Sequence, residues 1–153
     1  NNNIYNMAAL FEKYNIPFYA YFMFGLPGET VADAFETIEM MQKIQPDVIL
    51  AMVFHPNPGL NITKYAIQKG YITEKDLLKL GERKYRRYNS ILKQPDINTV
   101  MNIHKFYMVL TKFPFLAPFI KKLVSLEPNP KFNFIFVVSR LFNHWKIARL
   151  TGK

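Results

Sequence analysis

The sequence predicts an α/β fold in which parallel strands alternate with helices. Two short runs, residues 18–24 and 48–54, are almost wholly apolar and show no polar alternation. That pattern is typical of parallel strands that are covered on both faces. Between the two runs, apolar residues recur at helical spacing from Val31 to Met41. A strand, a helix and a second strand in this order predict a right-handed unit with its strands parallel.

The helix between the strands has recognisable start and stop signals. Thr30 is its predicted N-cap, and Asp33, three residues later, can complete a capping box. The helix should end at Gln45-Pro46-Asp47, because proline cannot continue it. Another helix is predicted before the first strand, from Ile4 to an end at Asn15.

Helical spacing of apolar residues continues through the rest of the chain. Further helices are predicted at residues 62–69, after Thr73, at residues 83–92, at residues 98–110 and at residues 132–150. The composition changes near residue 95, after which acidic residues almost disappear. We therefore divide the chain into an α/β part, residues 1–95, and a basic, aromatic-rich helical extension, residues 96–153.

The composition excludes several kinds of site. The chain has 153 residues, half of them apolar, which is enough for a real core, and it has no cysteine. It therefore has no disulfide framework and no thiolate-bound metal within these residues. His55, His104 and His144 lie too far apart to show ligand spacing, so no metal site is predicted.

A chain without cysteine fits a reducing compartment, and the cytoplasm is the expected location. The first residues do not resemble a signal peptide.

Positive charge is concentrated in the last third of the chain. Residues 101–153 contain 9 Lys or Arg and one acidic residue, Glu127, so they carry +8 of the net +9. Aromatic residues are mixed with these cations at residues 113–122 and 132–145, as in helices that lie on membranes. An anionic membrane surface is thus an expected partner, or the tail covers a lipid-like substrate. The alternative is ordinary packing against a part of a longer protein that this chain lacks. Nucleic acid is not expected, because the cations and tyrosines of residues 84–88 fit an amphipathic helix.

Each predicted strand ends in a turn rich in glycine and proline. The first strand is followed by Gly25-Leu26-Pro27-Gly28-Glu29-Thr30, and the second by Pro56-Asn57-Pro58-Gly59. Glycine has no Cβ, so backbone groups in such turns can approach a ligand closely. The carboxyl ends of parallel strands meet at the same edge of a sheet, so we expect these two turns to be neighbours.

Taken together, the two turns resemble the second half of a radical S-adenosylmethionine barrel. The cobalamin-associated branch of that family is the most similar, with a G-L-P-G-E-T turn after its fifth strand and a P-x-P-G-T turn after its sixth. The resemblance covers roughly residues 1–95. It implies the C-terminal portion of a (β/α) TIM-like barrel, followed here by an all-helical tail. It also implies S-adenosylmethionine as cofactor, a [4Fe–4S] cluster held by upstream residues, and cobalamin as a further candidate.

The resemblance places eight residues of this chain at the S-adenosylmethionine pocket. They are Gly25, Leu26, Pro27, Gly28 and Glu29 in the first turn, and Phe54, His55 and Pro56 at the second, whose backbone would flank the adenine. The helix that starts after Thr30 would direct its positive end towards this pocket. No catalytic residue and no metal ligand is assigned.

The sequence departs from the family pattern in three places. It lacks the Cys-x-x-x-Cys-x-x-Cys loop, so it cannot hold the cluster and would be inactive alone. Leu60 stands where a threonine is common, and Tyr21 where a glycine often opens the fifth-strand motif.

Two apolar strands also need partner strands, or other elements over their edges.

The expected function follows from the resemblance and from these departures. The chain would be the C-terminal segment of a longer radical enzyme and would pack against the missing N-terminal barrel half. The whole enzyme would abstract hydrogen from, methylate or rearrange a small-molecule or lipid-like substrate. The alternative is a non-catalytic α/β interaction module whose tail binds a membrane surface or a partner protein, and which would be peripheral on that membrane.

Overall fold

The computed structural model describes residues 2–78, 80 and 88–152, and confirms the predicted α/β class. The described residues are mostly helical and include a small sheet of two parallel strands. The strands are β1 (Tyr19–Phe24) and β2 (Val48–Val53). The helices are α1 (Asn2–Lys13), α2 (Val31–Ile44), α3 (Asn61–Gln68), α4 (Glu74–Leu78), α5 (Ile97–Lys112), α6 (Ala117–Val124) and α7 (Pro130–Thr151), with a short 3-10 helix at Pro114–Leu116.

Local signals set the ends of α2 as predicted. The side chain of Thr30 accepts a hydrogen bond from the Asp33 N–H, and the Asp33 carboxylate accepts one from the Thr30 N–H. This capping box satisfies backbone donors that a helix otherwise leaves unpaired. At the other end, Gln45 is left-handed, which stops the helix before Pro46.

One face of the sheet is buried under helices. Phe24 in β1, together with Ile49 and Ala51 in β2, belongs to a hydrophobic cluster that also contains buried side chains of α2, α5, α6 and α7. Within this cluster α5 is the central helix, and every residue from 101 to 108 is buried. The core therefore spans both predicted parts of the chain, and their division near residue 95 stays a prediction.

The prediction that the strands are covered on both faces is wrong for the described residues. On the second face, Tyr21 is 65% exposed, Met23 40% and Met52 47%. Side chains alternate between the two faces of a strand, and none of the described elements covers this second face completely. The apolar sequence of β1 therefore leaves an exposed, largely apolar surface.

The two edges of the sheet differ in how their backbone groups are satisfied. At the outer edge of β2, the carbonyl of Ile49 accepts hydrogen bonds from Tyr107 on α5 and Asn143 on α7. The carbonyl of Ala51 accepts one from His104 Nε2 at 3.3 Å. Helices thus cover this edge. The sequence predicts either partner strands or other elements over the strand edges, and at β2 the second of these is found. Among the described residues no strand pairs with the outer edge of β1.

One predicted helix does not form as expected. Residues 88–94 are irregular rather than helical, and residues 83–87 lie outside the described part of the chain. The irregular segment instead contacts the loop after α3, where Lys93 N–H donates to the Tyr71 carbonyl at 2.7 Å, and the first turn, where Gln94 bonds to Gly28. Tertiary contacts have overridden an apolar spacing that suited a helix.

Within the described residues, no helix is both long enough and apolar enough to cross a bilayer.

Candidate ligand site at the carboxyl ends of the strands

The parallel register brings the two glycine-containing turns side by side. Phe24 pairs with Val53 at the ends of the strands, and the Phe54 N–H donates to the Phe24 carbonyl at 2.8 Å. Residues 25–30 and 54–59 therefore leave the sheet at the same edge. All eight residues that the sequence placed at this site thus lie at the carboxyl end of the sheet, and their role in binding a cofactor stays a prediction.

The first turn is held by the carboxylate of Glu29. It accepts hydrogen bonds from the N–H groups of Gly25 and Leu26, the second at 3.1 Å. The Glu29 N–H in turn donates to the Leu26 carbonyl at 3.0 Å. Burial raises the pKa of Glu29 above its ordinary value, although the two backbone bonds oppose this, and Asp33 adds a smaller increase. Glu29 therefore shapes the turn from within.

Two side chains from distant parts of the sequence hold the same turn from outside. The side-chain amide of Gln94 accepts from the Gly28 N–H and donates to the Leu26 carbonyl, both at 2.9 Å. Gly25 has a φ of 77°, and a Cβ added there would lie 2.8 Å from Cε of Met101. Both the backbone conformation and the close side chain thus favour glycine at this position.

These contacts determine which backbone groups of the first turn are left without a hydrogen-bond partner among the described residues. The N–H groups of Gly25, Leu26, Gly28 and Glu29 all have partners among the described residues. The carbonyls of Gly25, Pro27 and Gly28 accept no hydrogen bond from that part of the chain. The turn can therefore accept hydrogen bonds from an amino group, but it does not form a nest of free N–H groups for an anion.

The second turn offers both donors and acceptors. Phe54 and Pro56 are buried and His55 is half-buried. Neither the Phe54 carbonyl nor the N–H and carbonyl of His55 bonds to any described group. The following residues are fixed, because Thr63 Oγ1 donates to the Asn57 carbonyl at 2.7 Å. A planar heterocycle with its own donors and acceptors would satisfy the free groups at Phe54 and His55.

Sequence reasoning missed the residues that support the site from α5 and the segment before it. Gln94 and Met101 follow the first turn by more than sixty positions, and neither belongs to a motif. The helical spacing in α5 predicted a buried face with Ile103, Phe106, Tyr107 and Leu110, but it did not predict that Met101 would also be buried and meet Gly25. No local signal was available for Gln94.

Other features of the described residues lie away from this site. A cavity of about 570 Å³, lined in part by Phe18, Lys43 and Leu150, lies at the opposite, amino end of the strands. No group of three or more His, Asp or Glu side chains is arranged to hold a metal ion within the described ranges. Because the chain also has no cysteine, its residues do not fit a [4Fe–4S] cluster.

Comparisons with known proteins gave no relationship for this chain. No family model matches it, and neither the curated proteins nor the solved structures contain a significant match.

Proposed function

We propose that this chain is the C-terminal segment of a radical S-adenosylmethionine enzyme and forms one wall of its cofactor pocket. The observation that carries the proposal is the set of unpaired backbone groups at one edge of the sheet. These are the carbonyls of the first turn and the donor and acceptor groups at Phe54 and His55. Ligands of open and closed α/β folds bind at this end of parallel strands.

The free groups match the chemistry of S-adenosylmethionine. Carbonyls of Gly25, Pro27 and Gly28 can accept hydrogen bonds from its amino group, and the backbone at Phe54 and His55 can pair with the edge of its adenine. When bound, the cofactor supplies radical chemistry to the whole enzyme. The residues of this chain bind it, orient it and limit the access of water, and we assign none of them a proton transfer.

The sheet supports a place at the end of a barrel. The outer edge of β2 is covered by α5 and α7, so the chain would provide the last strands of a (β/α) barrel. The unpaired edge of β1 and its exposed face would then meet the missing N-terminal barrel half. That upstream part must supply the cysteines of the cluster and, in the cobalamin-associated case, the cobalamin site. The substrate would be a small or lipid-like molecule that is modified by hydrogen abstraction, methylation or rearrangement.

The test is reconstitution of the longer protein with iron and sulfide, followed by an assay for 5′-deoxyadenosine. His55→Pro removes the unpaired N–H of that residue and should weaken binding of S-adenosylmethionine by about tenfold, the size of one lost hydrogen bond. His55→Ala keeps that N–H and is the matched control, which should bind like the wild type. An upstream reading frame without a three-cysteine loop, or a clustered enzyme that makes no 5′-deoxyadenosine, would refute the proposal.

A second candidate, the membrane-binding module, is favoured by α7. This helix has two apolar faces, because the side opposite its buried residues is also apolar. The exposed face carries Phe134, Val137, Val138, Leu141, Phe142 and Trp145, which recur at helical spacing. Lys131 and Arg149 lie near its two ends, and the surrounding tail is strongly basic. Apolar side chains flanked by cations suit an anionic bilayer surface.

Trp145 allows a direct test of this candidate, since it is the only tryptophan of the chain. Anionic vesicles should shift its emission to shorter wavelength and carry the protein upward on flotation, and added salt should weaken both effects. Leu141→Ser should reduce binding. Tyr14→Ser is the control, because Tyr14 is equally exposed but follows α1, far from α7 in the sequence, and it should leave binding unchanged. Absence of both the emission shift and flotation would end this candidate.

A further inference from the structure

A cavity of about 320 Å³ lies beside β2 and borders the second turn of the candidate site at His55. Its walls include Leu50 and Met52 from β2 and Phe136 from α7. Two residues with charged or polar heads, His104 on α5 and Arg140 on α7, also line it. The volume lies at the small end of the range of ligand pockets and fits a molecule with a single ring.

Arg140 enters this cavity without a counter-charge. Its side chain is half-buried, and it makes no ion pair or hydrogen bond with a described residue. After Asp96 the sequence contains only one acidic residue, Glu127, so acidic partners are scarce in this part of the chain. A half-buried guanidinium without a protein partner is available to bind an anion.

His104 provides a second, independent observation. It is completely buried, and its Nε2 donates to the Ala51 carbonyl, so the proton is on Nε2 and Nδ1 is an acceptor. Nδ1 has no partner among the described residues, and a buried acceptor without a partner is uncommon. The neighbouring Tyr107 hydroxyl cannot serve it, because that group bonds to Asn143 and Ile49.

We propose that this cavity binds a small aromatic carboxylate that also carries a hydroxyl or N–H group. The carboxylate pairs with Arg140, the donor bonds to Nδ1 of His104, and the ring lies against Leu50, Met52 and Phe136. Arginine recognises carboxylates in two-pronged geometry, and apolar walls exclude the water that would weaken the pair. The cavity shares His55 with the site proposed for S-adenosylmethionine, but its binding is measured on this chain alone. Failure of that measurement is therefore distinct from failure of the assay for 5′-deoxyadenosine.

The test uses the 153-residue chain with nitrogen-15 in its histidine rings. The probes are para-hydroxybenzoate, para-hydroxyphenylacetate and para-hydroxyphenylpropionate, which place the carboxylate at three distances from the hydroxyl. At least one should bind saturably and shift the Nδ1 resonance of His104. Phenylacetate, which lacks the hydroxyl, should leave that resonance in place. The para-hydroxyphenyl alcohol of the same chain length as the best probe has a hydroxyl in place of the carboxylate, and it should bind weakly.

Two arginine variants distinguish specific binding of the carboxylate by Arg140 from a general effect of positive charge on α7. Arg140→Gln should weaken binding of the best probe by about tenfold, the usual effect of losing a charge-assisted hydrogen bond. Arg149→Gln removes the same charge from an exposed position on the same helix and should leave the affinity unchanged. The proposal is overturned if no hydroxy acid binds, if both variants behave alike, or if binding leaves the His104 resonance unmoved.

Discussion

The side-chain amide of Gln94 and the backbone N–H of Gly28 form a 2.9 Å hydrogen bond between segments that lie 66 positions apart. Because the same amide also donates to the Leu26 carbonyl, one side chain fixes two backbone groups of the first turn. Gln94 is only 6% exposed, so water cannot easily replace it. This residue therefore ties the candidate site to the segment that leads into α5.

Gln94→Ala should destabilise the fold by about 1–3 kcal/mol, because it leaves two backbone groups of a partly buried turn without partners. Urea unfolding would measure the change. Gln68→Ala, at the exposed end of α3, removes the same side chain and should change the free energy of unfolding by less than about 0.5 kcal/mol. Equal effects of the two variants would show that the Gln94 contacts contribute little.

Gly25→Ala should be more costly than Gly59→Ala. Both glycines have a positive φ, so both variants carry a backbone penalty of about 1–2 kcal/mol. Only at Gly25 would the new methyl also contact Met101, whereas at Gly59 no atom lies within 4 Å. Thermal unfolding of both variants would give the comparison. In the Met101→Ala background the extra cost at Gly25 should shrink, and an unchanged cost there would contradict the proposed contact.

Glu29 should titrate above its ordinary value of 4.5, because burial raises its pKa and outweighs the two backbone hydrogen bonds. Folding therefore favours the protonated carboxyl. The stabilisation is fully present below pH 4.5 and is lost as the pH rises through the folded pKa. Carbon-13 NMR of the Glu29 carboxyl would locate the midpoint. A midpoint below 4.5 would show instead that the N–H groups of Gly25 and Leu26 dominate.

His104 should make the fold less stable in acid. Burial lowers the pKa of its imidazole to about 4, helped by the charge of Lys105 and opposed by the bond to Ala51. Between the ordinary value of 6.5 and about 4 the unfolded chain binds a proton that the folded chain does not, so stability falls as the pH falls. The full effect is of order 3 kcal/mol, since one pKa unit corresponds to about 1.4 kcal/mol.

Unfolding experiments between pH 7 and pH 4 would test this dependence. His104→Gln keeps a side-chain donor for the Ala51 carbonyl but cannot titrate, so its stability should vary less with pH than that of the wild type. His144→Gln removes an exposed histidine and should preserve the wild-type slope. A His104→Gln variant with an unchanged slope would mean that the acid sensitivity arises elsewhere.

The sequence by itself determined the α/β class, both strands, the capping box at Thr30 and most of the helices. Each of these depends on residues that are close in sequence: apolar spacing, caps and the prolines that stop helices. It also determined that the two glycine-containing turns follow successive parallel strands, which was sufficient to predict that they would be neighbours. The apolar face of α5 was predictable for the same reason.

Only the tertiary structure decided how these elements meet. Gln94 and Met101 contact the first turn. Asn143 and Tyr107 bond to the edge of β2. Residues 88–94 are irregular although their apolar spacing predicted a helix. The second face of the strands is exposed although their sequence is apolar, because burial depends on which elements are present to cover them. Contacts of this kind join segments far apart in the chain, and no local pattern of residue types specifies them.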